Sequence, residues 1–283
     1  MREGIPSRTA FQVAFWRAAH QILDNPKVLD DPWALPIVGD AVAEIRSDAS
    51  RYQSRIARNF RAFMVARSRY AEDQLAASVS HGVCQYLILG AGLDTSAYRG
   101  IATSGNVRVF EVDHPQTQAW KKERLQAASI PIPSSVSFVP VDFEHQNLQA
   151  ELEAAGFEAD LPAFVSWLGV VPYLTSEAAS HTFALIGNFP EGSGVAFDYA
   201  VEPSSLPFLE RMALGALSRR VARAGEAFRL FFTPTALEEF LKARRFRRIE
   251  QLASKEINAR YFTARSDGLY VAGAAGRIVS AWT

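Results

Sequence analysis

The sequence predicts an α/β fold in which helices cover both faces of a mostly parallel sheet. From residue 81 onward, short apolar runs alternate with segments of helical composition, which is typical of successive βαβ units. The runs are apolar at almost every position, as expected for strands that are buried on both faces. Several runs end in glycines or acids, at the carboxyl edge where such sheets bind ligands.

Composition excludes several other classes of protein. The chain has 283 residues, of which 48% are hydrophobic, and this is enough for one sizeable core. Its 30 basic and 30 acidic residues balance, so we expect no nucleic-acid partner, because nucleic-acid binders usually carry a basic excess. The single cysteine, Cys84, rules out an internal disulfide and a multi-cysteine metal site.

The same composition bears on location. Charged residues interrupt the start of the chain, which therefore does not resemble a signal peptide. No apolar run is long enough to span a bilayer. We expect a cytoplasmic protein without a membrane partner, either a monomer or a homodimer.

We expect residues 1–283 to form a single domain with two regions. Residues 1–80 form an N-terminal helical cap, and residues 81–283 form the α/β core. Within the core, residues 201–232 are longer than an ordinary connecting loop and are expected to fold as one or two helices that act as a lid.

The elements follow in order along the chain. Apolar residues at helical spacing predict cap helices over residues 9–23 and 51–80, with a loop and a short helix between them. Strands are predicted over residues 85–89, 107–112, 136–141, 163–168, 194–199, 247–252 and 269–274. Core helices are predicted over residues 115–128, 146–156, 176–188 and 233–244.

A glycine turn follows the first predicted strand. Gly90 and Gly92 flank Ala91 just before a predicted helix start, and glycines let the backbone turn sharply and approach a ligand closely. The third glycine of the dinucleotide fingerprint is replaced by Thr95. The turn alone therefore predicts either a nucleotide-type ligand or a tight strand-to-helix connection.

An acid ends the second predicted strand. Asp113 lies 21 residues after Gly92, and an acid about 20 residues past a glycine turn is placed to accept hydrogen bonds from ribose hydroxyls. Glu111 competes for this role, but Asp113 is nearer the carboxyl edge. A helix cap before Pro115 is the structural alternative. His114 is expected to lie beside the ribose.

The third strand also ends in polar and aromatic residues. Asp142 can accept a hydrogen bond from an adenine amino group, and Phe143 can flank the adenine ring. An exposed acid that caps the next helix is the alternative interpretation.

Arg67 lies inside the apolar stripe of the second long helix, between Phe63 and Ala71. A buried guanidinium requires a partner. Either a ligand carboxylate, bonded bidentately, or an acid of the protein meets this requirement.

Taken together, several segments resemble the leucine carboxyl methyltransferase family, in particular its bacterial branch of small-molecule O-methyltransferases. The segments are residues 7–10, 17–20, 66–73, 85–95, 98–99 and 111–115. The resemblance implies a class I S-adenosylmethionine (SAM) methyltransferase fold, which is Rossmann-like with a mostly parallel seven-stranded sheet. It also implies methyl transfer to an oxygen, often a carboxylate, of a small molecule such as a secondary metabolite.

The resemblance further implies how the cofactor is held. The turn at Gly90 and Gly92 holds SAM, with Gly90 lining its methionine part. Arg67 meets the methionine carboxylate, and Asp113 takes the ribose.

The resemblance places Asp142 and Phe143 at the adenine. The chain departs from the family's pattern at one position. The family commonly has a glutamate where this chain has Leu168. We expect a cofactor contact to be lost there or to be replaced by Trp167.

The acceptor decides whether the reaction needs a base. A carboxylate is already ionised near pH 7, whereas a phenol or alcohol is helped by a general base, usually a histidine. His20 is the best candidate of the five histidines, because the cap of this family looks like a cover over the site; a solvated polar face is the alternative. Tyr173 follows the fourth strand and is expected either to orient the substrate or to pack in the core.

Two other functions remain open. An NAD(P)-dependent oxidoreductase shares the glycine turn and the acid on strand two, but the missing third glycine, Arg67 and the N-terminal helices weigh against it. A degenerate, non-catalytic methyltransferase fold that serves as a partner subunit is supported only by Leu168.

Overall fold

The computed structural model describes residues 7–142, 145–223 and 227–283. Its strands are β1 (Gln85–Leu89), β2 (Arg108–Asp113), β3 (Val136–Pro140), β4 (Ala163–Trp167), β5 (Gly194–Val201), β6 (Phe231–Phe232), β7 (Arg248–Leu252) and β8 (Gly276–Trp282). Its α-helices are α1 (Arg8–Leu23), α2 (Ala34–Val38), α3 (Ala41–Ser47), α4 (Arg55–Ser80), α5 (Pro115–Ala127), α6 (Leu148–Ala154), α7 (Ser176–Gly187), α8 (Phe208–Arg223), α9 (Pro234–Lys242) and α10 (Ser254–Tyr261).

The sheet runs in the order β3-β2-β1-β4-β5-β8-β7, with the short β6 paired to β5 off this path. Neighbours from β3 to β5 pair in parallel, whereas β8 pairs antiparallel with both β5 and β7. The predicted α/β class with a mostly parallel sheet is therefore confirmed. The inserted antiparallel strand differs from the 3-2-1-4-5-6 order of doubly wound dinucleotide-binding sheets.

Both faces of the sheet are covered, which explains why its strands are apolar at nearly every position. In β1, Tyr86 and Ile88 pack in one buried cluster together with residues of the cap helices. Leu87 and Leu89 pack in the other cluster, which includes residues of α7 and α9. The cap therefore covers one face, and the helices that follow β4 and β6 cover the other.

The predicted closing strand at residues 269–274 is wrong, because the strand is β8, several residues later. The Asn258 side chain hydrogen-bonds to both the N–H and the C=O of Val271, each at 2.8 Å. The Ala272 N–H is bonded to the Asn59 side chain at 2.6 Å, and Gly273 has a positive φ of 82°. Side chains satisfy this backbone, so it does not pair as a strand.

The lid region was expected to contain one or two helices, and its described residues include α8 and a short 3₁₀ segment at Pro203–Ser205. The cap contains α1 and α4 as expected, but a short 3₁₀ segment precedes α4 at Ala49–Tyr52, so the second long helix begins later than predicted.

A buried ionic cluster organises the cap. The Arg61 side chain donates to both carboxylate oxygens of Asp24, at 2.6 and 2.7 Å. His20 Nδ1 lies 2.8 Å from the same carboxylate, and its Nε2 accepts from the Val28 N–H at 2.9 Å. Both ring nitrogens of His20 are therefore occupied, and the ring is fully buried.

The carboxylate of Asp24 is the shared acceptor of this cluster. Burial raises its pKa, but hydrogen bonds from Arg61 and His20 outweigh that effect and hold the pKa below its ordinary value of 3.8. A carboxyl whose pKa is lowered by folding stabilises the protein above its unfolded pKa, and this contribution is lost as pH falls through the lowered value.

Asp24→Asn should lower the free energy of unfolding at pH 7 by about 3 kcal/mol, because it leaves the buried Arg61 charge without its partner. Urea unfolding followed by circular dichroism measures this loss. The difference from the wild type should be constant at neutral pH and should shrink as pH falls below 3.8.

Asp30→Asn is the matched control, because Asp30 forms an exposed ion pair with Lys27, and such pairs contribute at most about 1 kcal/mol. Equal stability losses in the two variants would contradict a role for Asp24 as the cluster's buried acceptor.

Candidate functional site

A cavity of about 640 Å³ lies at the carboxyl edge of the sheet. Its walls come from the segments that follow β1, β2, β3 and β4, from α1 and α4 of the cap, and from Ala227 and Arg229 after α8. Cavities that bind small molecules and cofactors measure about 300–1,000 Å³. The cap and the lid region thus meet the strand ends around a space of the size that a cofactor requires.

The glycine turn forms the floor of this cavity. Gly90 and Gly92 both have positive φ, 66° and 45°, a region that favours glycine. A Cβ on Gly90 would overlap the Val170 side chain, and a Cβ on Gly92 would lie 2.9 Å from the Ala10 side chain of α1. Both glycines therefore permit close approach of other parts of the protein.

The turn continues differently from the prediction. The helix expected after Gly92 is absent, and two short 3₁₀ segments follow instead, at Ser96–Tyr98 and Gly100–Thr103. The Thr95 hydroxyl, at the position of the missing third glycine, donates to the buried Asp31 side chain at 2.7 Å. The chain is therefore tied to the cap at this point.

Asp113 lies at the cavity wall next to the glycine turn. One carboxylate oxygen accepts from the Gly92 N–H at 2.5 Å and the other from the His114 N–H at 2.7 Å. Burial raises the pKa of Asp113, and these two N–H donors act in the opposite direction. Each carboxylate oxygen can accept more than one hydrogen bond, so both can still accept from ligand hydroxyls.

Glu111, the competing acid, is bonded elsewhere. Its carboxylate lies 2.7 Å from the Lys121 ammonium of α5, and both side chains are almost fully buried. Glu111 does not belong to the described residues that line the cavity. Asp113 is thus the acid of β2 that meets the cavity.

The β3 side of the cavity contains Asp142, His114 and His145. His114 Nε2 lies 3.8 Å from the Asp142 carboxylate, and its Nδ1 accepts from the Gln116 N–H at the start of α5. Phe143, the predicted neighbour of the adenine ring, lies outside the described residues. The polar groups predicted after β2 and β3 are therefore brought together.

Arg67 lines the cavity from α4 and is only 4% exposed. Its Nη1 donates to the Asp198 carboxylate of β5 at 2.8 Å. Its Nε is buried without a hydrogen-bond partner among the residues that the structure describes. Arg67 is thus paired with an acid of the protein, which was one of the two partners expected from the sequence. It also lines the cavity.

Two predicted residues lie away from the cavity. His20 is enclosed in the Asp24 cluster and has no nitrogen available to accept a proton from a substrate, which argues against its predicted role as general base. Trp167 is fully buried against Phe183 on the opposite face of the sheet, with ring centroids 4.9 Å apart. Trp167 therefore does not replace the glutamate contact, and Leu168 itself lines the cavity.

Tyr173 does line the cavity, and its ring packs on Phe228 with centroids 5.1 Å apart. Of His20 and Tyr173, the two residues predicted to act on the substrate, Tyr173 is the one that lines the cavity.

Sequence reasoning missed Arg17 and Asp198. Arg17 lines the cavity from α1 and donates to the Leu93 carbonyl oxygen at 2.6 Å and to Asp94 at 3.3 Å. Arg17 could not be found from the sequence, because its partners are distant in the chain and produce no local sequence pattern. Asp198 could have been found from the sequence, because it is the one charged residue within the otherwise apolar β5.

None of the helices in the described parts of the chain combines the length and apolar composition that crossing a bilayer requires. Within residues 7–142, 145–223 and 227–283, no group of three or more histidine, cysteine or acidic side chains is arranged to hold a metal ion.

Comparison with known proteins agrees with this geometry. Residues 10–187 match the family model of leucine carboxyl methyltransferase. YktD of Bacillus subtilis (strain 168), which is named as an S-adenosyl-L-methionine-dependent methyltransferase, is 32% identical over 291 residues, covering 95% of each chain.

Solved structures agree in fold. A structure from Thermobifida fusca YX that is described as a methyltransferase aligns with a TM-score of 0.57 and 15% identity, covering 96% of this chain and 94% of that chain. Human N-acetylserotonin methyltransferase in complex with SAM aligns with a TM-score of 0.50 and 17% identity, covering 98% of this chain and 68% of that chain.

The family match and the strand order both favour a methyltransferase over the oxidoreductase that the glycine turn also allowed. The fold is that of class I SAM methyltransferases. The chain belongs to the leucine carboxyl methyltransferase family and is a SAM-dependent methyltransferase.

Proposed function

We propose that this enzyme is an O-methyltransferase that methylates the carboxylate of a small molecule, with a hydroxyl group as the second candidate acceptor. The distribution of acid–base groups in the cavity carries the proposal. His114 and His145 lie after β2 and β3, whereas the described lining residues that follow β4 include no histidine, aspartate or glutamate. A carboxylate acceptor is already ionised near pH 7 and needs no general base. It is therefore compatible with a wall that offers no such side chain.

The chain's own residues divide the cavity into a cofactor side and an acceptor side. Asp142 would hold the adenine, Asp113 the ribose hydroxyls, the turn at Gly90 and Gly92 the middle of the cofactor, and Arg67 the methionine carboxylate. The first three positions follow the sheet order from β3 through β2 to β1, and Arg67 of α4 packs on Gly169 in the turn after β4. When bound, SAM supplies an electrophilic methyl group on its sulfonium sulfur.

The acceptor side is formed by the segments after β4 and after α8. The Arg229 N–H donates to the Pro172 carbonyl oxygen at 2.7 Å, which fixes this segment against the turn that contains Tyr173. Arg229 brings a positive charge to the cavity wall, and a guanidinium suits an anionic acceptor. Arg229 thus supports an acidic acceptor over a neutral phenol.

Orientation is the main contribution of this side to the reaction. Transfer from a sulfonium is an in-line displacement, so the acceptor oxygen must be aligned with the methyl group. Tyr173 and Arg229 contact the cavity from adjoining segments, and the side chains of Leu168 and Val170 add an apolar surface. We assign Tyr173 and Arg229 to holding the acceptor.

Asp113→Ala should weaken binding of S-adenosylhomocysteine at least tenfold, because it removes a carboxylate that accepts from two ribose hydroxyls, and hydrogen bonds to charged groups contribute about 1.5–3 kcal/mol each. Calorimetric titration measures the dissociation constant. Glu153→Ala, which changes an exposed acid of α6, is the control and should bind like the wild type. Unchanged affinity in Asp113→Ala would remove the cofactor assignment.

A panel of small carboxylic acids and phenols, incubated with methyl-labelled SAM, should give base-labile methyl esters. For the acids, turnover should be nearly constant between about pH 6 and 8, because their pKa lies near 4. Phenols as the preferred acceptors, with turnover that rises with pH, would favour the hydroxyl alternative. Cofactor binding without turnover of any acceptor in the panel would favour the non-catalytic alternative.

Arg229→Gln should raise KM for an acidic acceptor about tenfold and leave kcat within about twofold, because one charge-assisted contact contributes about 1.5–3 kcal/mol. Steady-state kinetics with the best acid of the panel measures both constants. Arg211→Gln is the matched control, since Arg211 is an exposed arginine of α8 that does not line the cavity. An equal effect in both variants would argue against a specific contact.

A further inference from the structure

Asp198 is a charged residue in the middle of a buried strand, and nothing in the proposed reaction uses it directly. Its side chain is 8% exposed, and its neighbours in β5, Phe197 and Tyr199, are fully buried. An ionised group in such a position is costly unless it is paired and hydrogen-bonded. The two partners of Asp198 therefore explain why the position tolerates a charge.

Those partners come from two different walls of the cavity. One carboxylate oxygen accepts from Arg67 Nη1 of α4 at 2.8 Å. The other accepts from the Gly169 N–H, in the turn after β4, at 2.6 Å. Asp198 itself is not a lining residue. It lies behind the cavity wall and joins the cap to the turn.

The Arg67 guanidinium is held against the backbone of this turn. A Cβ on Gly169 would lie 2.8 Å from Nη2, 3.0 Å from Nη1 and 3.2 Å from the central carbon of the guanidinium. Gly169 also has a positive φ of 71°. A side chain at this position would displace the guanidinium. Glycine at position 169 therefore allows Arg67 to pack directly on the turn.

The contacts of Arg67 are unevenly distributed over its guanidinium. Nη1 is bonded to Asp198, whereas Nε is buried and has no hydrogen-bond partner within the described residues. Carboxylates commonly bind arginine bidentately, through two adjacent N–H groups. The Nε side of Arg67 is therefore the edge that remains for a second anion.

We propose that Asp198 is a positioning residue that orients Arg67 for the carboxylate of the cofactor's methionine part. This inference rests on the assignment of Arg67 made under the proposed function. Asp198 neutralises the charge of Arg67. A second carboxylate is therefore attracted mainly through hydrogen bonds, and these depend on the direction in which the remaining N–H groups of Arg67 point. A long arginine side chain loses much rotamer freedom when it is held, and Asp198 holds it before the ligand binds.

The test compares two ligands in calorimetric titrations. S-adenosylhomocysteine carries the amino-acid group, and 5′-methylthioadenosine lacks it. Asp198→Ala should weaken S-adenosylhomocysteine about tenfold and change 5′-methylthioadenosine less than twofold. Asp198→Asn keeps an oxygen for the Gly169 N–H but loses the charge that holds Arg67, and we expect a selective loss of at least threefold.

Glu250→Gln is the matched control. Glu250 accepts from the Tyr70 hydroxyl of α4 at 2.7 Å, so it also joins α4 to a strand, but it does not line the cavity. This variant should bind both ligands like the wild type. Thermal unfolding of all variants shows whether each is folded, and Asp198→Asn carries the test if Asp198→Ala is not.

Three results would overturn the inference. Equal weakening of both ligands in the Asp198 variants would mean a general structural role, and unchanged or tighter S-adenosylhomocysteine binding would mean that Asp198 does not orient Arg67. In either case, intact wild-type binding leaves the proposed function standing. Failure of the wild type to bind S-adenosylhomocysteine would overturn both.

Discussion

Charge pairing between the cap and the α/β core is the interaction that places two buried arginines at the cavity wall. Arg17 of α1 and Arg67 of α4 are both buried and both line the cavity. Each meets an acid of the core, Asp94 after β1 and Asp198 in β5. Leaving either guanidinium unpaired would be far more costly than losing a surface contact. Both pairs therefore join the cap to the core at the wall of the cavity.

The glycine turn shows why a motif alone does not identify a ligand. Gly90 leaves room for Val170, and Gly92 leaves room for Ala10, so contacts within the protein already account for both residues. Asp113, whose carboxylate accepts from the Gly92 N–H, is the residue beside the turn that points to a ligand with hydroxyl groups. A shared hydrogen bond thus connects the ends of two adjacent strands and fixes the distance between turn and acid.

Strands and strand-end acids could be predicted because their patterns are local. Asp113 follows from its distance to the glycine turn, and five core strands follow from apolar runs. The positions of His20 and Trp167 could not, because the direction that a side chain takes depends on long-range packing. His20 turns toward Asp24, and Trp167 turns to the face opposite the cap. Asp198 carried a usable signal, a charge within an apolar strand, but its partner Arg67 is distant in sequence.

The insertion of β8 between β5 and β7 means that one edge of β5 is closed by a strand from much later in the chain. Asp198 of β5 lies in register with Ile278 of β8, so the strand that carries it keeps an open edge until β8 has paired with it. An unpaired strand edge exposes backbone hydrogen-bonding groups to other chains. Until β8 pairs with β5, the sheet beside the Arg67–Asp198 pair is therefore incomplete.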